Sequence, residues 1–96
     1  MERNDASILT EVRRELARTP VRLEQIQFGV TRGVIFLGGQ FQVQTRVRTI
    51  NKRKYFEILV STLVALEKRL RQIKGVKDIH FRLKNVHKSG GFWRQA

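Results

Sequence analysis

The chain has 96 residues, 41% of them apolar, which is enough for one hydrophobic core without disulfides or structural metal ions. It has no cysteine, which excludes a disulfide framework, a thiolate metal site and a thiol nucleophile. The formal net charge is +12, with six Lys or Arg against five Asp or Glu in residues 1–45 and fourteen against three in residues 46–96. Because like charges in a compact chain repel one another, this cationic second half predicts an acidic partner; the alternative is that it serves solubility.

The N-terminal segment predicts an amphipathic helix of about three turns that begins near Asp5. Its apolar residues recur at the spacing of one helical face: Ile8, Leu9, Val12 and Leu16. Asn4 or Asp5 can cap the N-terminus, and Pro20 ends the helix because the residue before a proline avoids the helical region. Residues 1–4 are expected to be frayed.

The stretch from Gln25 to Phe41 predicts a β-hairpin. A turn that contains Gly33, where a positive φ is expected, separates two runs of alternating apolar residues. These residues are Ile26, Phe28 and Val30 before the turn, and Ile35, Leu37, Phe41 and Val43 after it. The second strand is therefore expected to continue to about Val43. Gly39 falls in phase with the apolar residues, which indicates a bulge or the close approach of another backbone or helix.

Residues 42–49 alternate in a way that suits an extension of the second strand, although the first strand is too short to pair with all of them. The sequence leaves open whether part of this segment is an exposed arm. A long helix follows, with Asn51 as its N-cap and an end near Lys74, where Gly75 takes the left-handed C-cap position. Its core-facing seam has steps of three and four residues: Phe56, Leu59, Leu63, Leu66, Leu70 and Ile73.

This long helix carries more apolar surface than one sheet face covers, because Tyr55, Ile58 and Val64 lie off the seam. One interpretation is a homo-oligomer that forms through the helix of residues 51–74. The other is that the first helix and the C-terminal residues cover the excess. The sequence does not choose between them.

The last strand is expected over residues 76–83, followed by a flexible tail over residues 87–96 with a Ser-Gly-Gly hinge. The strand should place Ile79, Phe81 and Leu83 on one face, and Lys77, His80, Arg82 and Lys84 on the other. The order α-β-β-α-β predicts the α+β class: a three-stranded sheet with two helices packed on one face, in a single domain over residues 5–86.

Two glycine motifs resemble those of the BON domain, a small bacterial module of α-β-β-α-β type. The first is a turn glycine followed by alternating apolar residues and a second glycine: Gly33, Ile35, Leu37, Gly39 and Phe41. The second is a Gly-Val pair between the last helix and the last strand, followed by apolar residues: Gly75, Val76, Ile79 and Leu83. The chain departs from the family in a longer stretch between Gly39 and Gly75, and in Phe81, where asparagine is common.

The resemblance implies a non-enzymatic binding module that docks on an anionic surface such as acidic phospholipid. Family members are commonly exported or associated with the envelope, whereas the N-terminus of this chain shows no secretory signal. No apolar run approaches the ~20 residues that span a bilayer. We therefore expect a cytoplasmic protein, attached peripherally to a membrane if its partner is lipid.

No motif for catalysis or for a cofactor is present. His80 and His87 are seven residues apart without Asp, Glu or Cys in ligand spacing, which argues against a metal site. The pair Gly38-Gly39 lacks the lysine and hydroxyl that follow a phosphate-cradling loop. The sequence thus predicts a protein that is not an enzyme and that holds no cofactor.

Three binding roles remain. The predicted anion-binding residues are Arg46, Arg48, Lys52, Arg53, Lys54, Lys88 and Arg94, and the predicted interface aromatics are Tyr55, Phe92 and Trp93. On an acidic membrane, Phe92 and Trp93 would lie at headgroup level. On nucleic acid or a ribonucleoprotein, the cations would neutralise phosphates, and Tyr55 or Trp93 would stack on a base. The third role is a structural subunit of an oligomer. The simpler alternative for the aromatic tail is that Phe92 and Trp93 pack on their own sheet.

Overall fold

The computed structural model describes residues 4–44 and 51–96 of the chain. They form two helices, a mixed three-stranded sheet and a separate two-stranded sheet, which is an α+β fold. The elements in chain order are α1 (Asp5–Arg18), a 3-10 turn (Leu23–Gln25), β1 (Ile26–Thr31), β2 (Val34–Gly39), α2 (Lys52–Arg71), β3 (Asp78–Leu83), β4 (Val86–Ser89) and β5 (Phe92–Gln95). The order predicted from the sequence is therefore present up to β3, and an unpredicted hairpin follows it.

Helix α1 has the predicted bounds and cap. The side chain of Asn4 accepts a hydrogen bond from the Ser7 amide at 2.8 Å, which satisfies one of the unpaired donors at the helix start. Thr19 is already extended, with ψ at 135°, as the residue before a proline should be. Ile8, Val12 and Leu16 are buried as predicted, whereas Leu9 of the predicted stripe is only half-buried.

The β1–β2 hairpin turns through Arg32 and Gly33, both of which have positive φ, at 52° and 81°. This geometry matches the right-handed twist of the flanking strands. Both carboxylate oxygens of Asp5 accept hydrogen bonds from this turn, from the Arg32 amide at 2.8 Å and the Gly33 amide at 3.0 Å. The start of α1 is thus tied to the tip of the hairpin.

Strand β2 ends at Gly39, so the predicted extension to Val43 is wrong. Gly39 has a φ of +89°, and the carbonyl oxygen of Gln25 lies so close that an added Cβ would overlap it. The chain therefore leaves the ladder there, and Val43 instead makes an isolated antiparallel bridge with Val21 beside the core. The close backbone approach predicted at Gly39 is confirmed. Residues 45–50 lie outside the described part of the chain, and so does most of the predicted arm.

Helix α2 begins as predicted, with the Asn51 side chain accepting from the Lys54 amide at 2.8 Å. Its four central seam residues are buried: Leu59, Leu63, Leu66 and Leu70. The helix ends at Arg71, three residues before the predicted end at Lys74. Gly75 has a φ of +95° in the turn that follows, where the chain reverses into β3.

The sheet has the order β1-β2-β3, with β2 antiparallel to β1 and parallel to β3. Register places Ile35 beside Ile79 and Leu37 beside Phe81, so one face of the sheet is apolar. The buried residues of α1 and α2 form a single cluster with this face. Both helices therefore pack on one side, and residues 4–44 and 51–96 leave the other side of the sheet uncovered.

The residues assigned to a flexible tail instead form the β4–β5 hairpin, which the sequence analysis missed. Gly90 and Gly91 make its two-residue turn with φ values of 58° and 84°. Trp93 is 8% exposed, and its ring meets Phe81 edge-on at a centroid distance of 4.9 Å. The alternative that the aromatic pair packs on its own sheet is correct for Trp93 and wrong for Phe92, which is 70% exposed.

Lys88, one of the predicted anion-binding residues, is used in the scaffold together with two further cations, Arg69 and Arg71. Arg69 joins α2 to α1, with its Nε 3.0 Å from the Glu15 carboxylate. Glu67, in α2, accepts from Arg71 at 2.9 Å and lies 3.2 Å from Lys88 of β4. These carboxylates therefore link elements of the fold.

Candidate functional site

The face of the sheet that points away from the helices is the first candidate surface, and we call it the outer face. Alternation and register place the following residues on it: Gln27, Gly29 and Thr31 from β1, Val34, Phe36 and Gly38 from β2, and Asp78, His80 and Arg82 from β3. Phe36 is the one aromatic residue on the central strand of this face. A half-buried ring at the centre of an uncovered sheet is available to a ligand.

The two flanks of the Phe36 ring differ. On the β1 side its register partner is Gly29, and nothing lies within 4 Å of the place where a Cβ of Gly29 would be. On the β3 side the His80 ring meets Phe36 edge-on at 5.5 Å, and the guanidinium carbon of Arg82 lies 5.6 Å from the ring centroid. The ring is thus held from one side and open on the other.

A depression of about 310 Å³ lies beside this ring, at the end of the sheet where β2 finishes. It is lined by polar, aromatic and apolar residues: Gln27, Phe28, Phe36, Leu37, Gly38, Gly39, Arg82 and Lys84. Neither Arg82 nor Lys84 has a carboxylate within 4 Å among the described residues. The depression therefore combines an aromatic ring with two cations whose charge is not matched locally.

Asp78 is the one carboxylate on the outer face, and it lies at the opposite end from Lys84. Its Oδ1 accepts a hydrogen bond from the Ile79 amide at 2.8 Å, and this bond, with help from His80 and Arg71, lowers the pKa of Asp78 below 3.8. Arg71 lies 3.6 Å from this carboxylate and His80 lies 3.5 Å from it. Asp78 is thus occupied by its own neighbours, and the far end of the face keeps its positive charge.

The first turn of α2 is the second candidate surface. It holds Lys52, Arg53 and Lys54 and no acidic residue, although the helix macrodipole favours anions at this end. Arg53 is 92% exposed and lies 4.0 Å from Glu57, which Lys54 also approaches at 3.9 Å. One carboxylate at the limit of contact does not match three cations, so this cluster, predicted from the sequence, stays positive and accessible.

The other predicted site residues do not form a common surface. Tyr55 is half-buried and its hydroxyl accepts from the Val43 amide at 3.0 Å, so it contributes to the fold. Trp93 was predicted to be an interface aromatic, but its side chain is buried. Lys88 is held by Glu67, whereas Arg94 is exposed with no carboxylate within 4 Å among the described residues. Arg46 and Arg48 lie outside the described residues.

Sequence reasoning missed the site around Phe36. It assigned Lys77, His80, Arg82 and Lys84 to the polar side of the last strand but gave them no function. The register confirms this side for His80 and Arg82, whereas Lys77 and Lys84 lie just beyond the ends of β3. The overlooked signal is that Phe36 stands out of phase with the buried Ile35 and Leu37. Phe36 and Val34 together place apolar side chains on the phase of β2 that faces away from the core.

The described part of the chain offers no cluster of three or more His, Asp or Glu side chains placed to hold a metal ion. Within residues 4–44 and 51–96, neither helix has the length and apolar character needed to cross a bilayer.

Comparison of the chain with protein families, curated proteins and solved structures found no match. The BON resemblance therefore stays a prediction that depends on the glycine motifs and the order of elements.

Proposed function

We propose that this protein is a non-enzymatic module that binds single-stranded nucleic acid on the outer face of its sheet. The observation that carries the proposal is the Phe36 ring, which is open towards Gly29 and flanked by Arg82. A nucleic-acid base stacks on an aromatic side chain at the centre of a flat sheet when the neighbouring positions leave room for it. Here the bare Gly29 leaves that room.

The cations beside Phe36 are placed to meet the phosphates on either side of a stacked base. Arg82 and Lys84 line the same depression as the ring, so one nucleotide could contact all three side chains. Proteins that bind single-stranded nucleic acid combine a positively charged groove with aromatic rings on which bases stack. The Phe36 ring with Arg82 and Lys84 beside it supports such a role. The first turn of α2 adds a further positive patch for a strand that extends beyond the sheet.

Acidic phospholipid, the partner that the BON resemblance implies, has less support from the side chains. Membrane attachment by the C-terminal aromatics would need both rings at the headgroup level, and Trp93 is buried against Phe81. Phe36 lies half-buried within a flat sheet and would not insert between lipids. A BON-like fold is part of our proposal; lipid as its partner becomes an outcome of the test.

The test measures fluorescence anisotropy of a labelled mixed-sequence single strand, as DNA and as RNA, and sedimentation with vesicles of acidic phospholipid at the same ionic strength. Phe36→Leu keeps the apolar volume but removes the ring, so it should weaken strand binding about 5- to 150-fold, the range that stacking of one base contributes. Phe36→Tyr should restore binding. Phe92→Leu removes an exposed ring from a different surface and is the matched control, with no change expected.

Arg82→Gln should reduce the slope of log affinity against log salt by about 0.7, the contribution of one neutralised phosphate on a single strand. Arg14→Gln removes the same charge from an exposed position on α1, on the helical side of the sheet, and should leave the slope unchanged. Equal binding by wild type and Phe36→Leu would overturn the proposal. Vesicle binding without strand binding would overturn it in favour of phospholipid.

A further inference from the structure

The solvent side of α2 forms a groove with β5 that the described part of the chain leaves uncovered. This groove has a volume of about 620 Å³, and its apolar lining comes from Phe56, Val60, Val64, Ala65, Phe92 and Trp93. The described residues leave three large apolar side chains exposed, and two of them line this groove: Val64 at 48% and Phe92 at 70%. Such an apolar concentration on a chain of high charge marks an interaction surface.

The charges at the ends of the groove indicate what occupies it. Glu57 lies at one end and Lys68 at the other, on the same helix. They are eleven positions apart, or about 16 Å along the axis, so they cannot pair within one chain. In a second α2 that runs antiparallel, Lys68 comes to lie opposite Glu57, and the pair forms twice.

The residues between these charges are compatible with the same symmetry. Positions 57, 61, 64 and 68 form one straight stripe on α2, on the side of the helix away from the buried seam. Antiparallel pairing about the middle of the stripe places Ser61 against Val64, and Val60 against Ala65. Because Ser61 and Ala65 are small and lie one turn apart, two helices can approach closely with the valines between them.

We infer that two copies of this chain associate about a two-fold axis through this stripe of α2, with Phe92 of each copy covering the edge of the contact. The inference does not depend on nucleic-acid binding, because the stripe and the outer face lie on opposite sides of the molecule. It also explains the apolar excess of the long helix. The described parts of α1 and of the C-terminal hairpin leave Val64 and Phe92 exposed.

Charge gives the association a distinctive dependence on salt. Each chain carries a formal net charge of +12, so two copies repel each other at low ionic strength. The charged residues that line the groove are one acid, Glu57, and one base, Lys68. Added salt should therefore strengthen association, whereas it weakens binding to nucleic acid.

The test is sedimentation equilibrium of the nucleic-acid-free protein over a range of concentrations at low and high salt. The measured mass of wild type should rise with concentration towards twice the chain mass of 11.3 kDa. At high salt this rise should occur at lower protein concentration. Val64→Lys should be monomeric, with unchanged helix content by circular dichroism. A wild type that stays monomeric at all concentrations would overturn the inference.

Charge exchange tests the antiparallel register. Glu57→Lys and Lys68→Glu should each weaken association about 5-fold or more, because each disrupts two pairs. The two variants change the net charge in opposite directions, so a common loss cannot come from overall repulsion. The double variant Glu57→Lys, Lys68→Glu keeps the net charge and should regain the association of wild type. A double variant as weak as the worse single variant would overturn the antiparallel pairing.

Discussion

Replacing Gly39 by alanine should destabilise the protein by about 1.5–3.5 kcal/mol, and the structure gives each contribution. The φ of +89° is a conformation that side chains with a Cβ rarely adopt, which costs about 1–2 kcal/mol. The new Cβ would also overlap the carbonyl oxygen of Gln25, which accepts a hydrogen bond from the Gln40 amide at 2.9 Å. Moving this backbone weakens that bond, at about 0.5–1.5 kcal/mol.

Gly29→Ala is the matched control. It adds the same methyl group to β1, where nothing lies within 4 Å and where φ is not positive. Gly29→Ala should raise the free energy of unfolding by about 0.5–1 kcal/mol, because alanine loses less conformational freedom on folding than glycine does. The two variants therefore differ in the sign of their effect on the free energy of unfolding.

Urea unfolding followed by circular dichroism measures both free energies, and a thermal scan gives a second reading. For a domain of this size 1 kcal/mol corresponds to about 4–8 °C in the melting temperature, so the melting temperature of Gly39→Ala should fall by about 6–28 °C. A Gly39→Ala variant as stable as wild type, or equal to Gly29→Ala, would refute the explanation of why β2 ends where it does.

Three further predictions concern charge and packing. Lys52→Glu should raise the free energy of unfolding by about 0.3–1 kcal/mol, because it replaces an unfavourable positive charge at the start of α2. The same change should weaken binding to a polyanion. A urea midpoint lower than that of wild type would contradict the expected gain in stability. Because Asp78 has a lowered pKa in the folded state, its ionised form adds stability that is fully present above the unfolded pKa and is lost as pH falls through the folded value. The stability difference between wild type and Asp78→Asn should therefore shrink below pH 3.8, and a difference that is constant in acid would argue against it. Trp93→Ala should lower the free energy of unfolding, measured in urea, by about 3–5 kcal/mol, because the Trp93 ring is buried against Phe81. A decrease below about 1 kcal/mol would indicate that the hairpin hardly packs on the sheet.

Strand alternation predicts only part of the candidate site around Phe36. Alternation alone places His80 and Arg82 on the side of β3 opposite the core, as the structure confirms. It does not say that Phe36 of β2 lies beside them, because that contact requires β2 and β3 to pair in parallel across a helix. The basic turn at Lys52 was predictable, since its residues are consecutive and the Asn51 cap is local.

What the sequence determined by itself is local. The cap at Asn4, the stop before Pro20, the two-residue turn at Gly33 and the buried seam of α2 follow from backbone geometry and from periods of 3.6 and 2 residues. These preferences act over a few neighbouring positions, so they can be recognised without knowing what packs against them.

The tertiary structure alone decided where β2 ends, that residues 86–95 form a hairpin, and which aromatic ring stays exposed. The end of β2 depends on the Gln25 carbonyl, fourteen positions before Gly39, and the burial of Trp93 depends on Phe81, twelve positions before it. Contacts between distant positions are set by how whole elements pack and pair. The local sequence around Ser89, Gly90 and Gly91 does not indicate which neighbouring ring is buried. Only the packing of the hairpin on β3 buries Trp93 and leaves Phe92 in solvent.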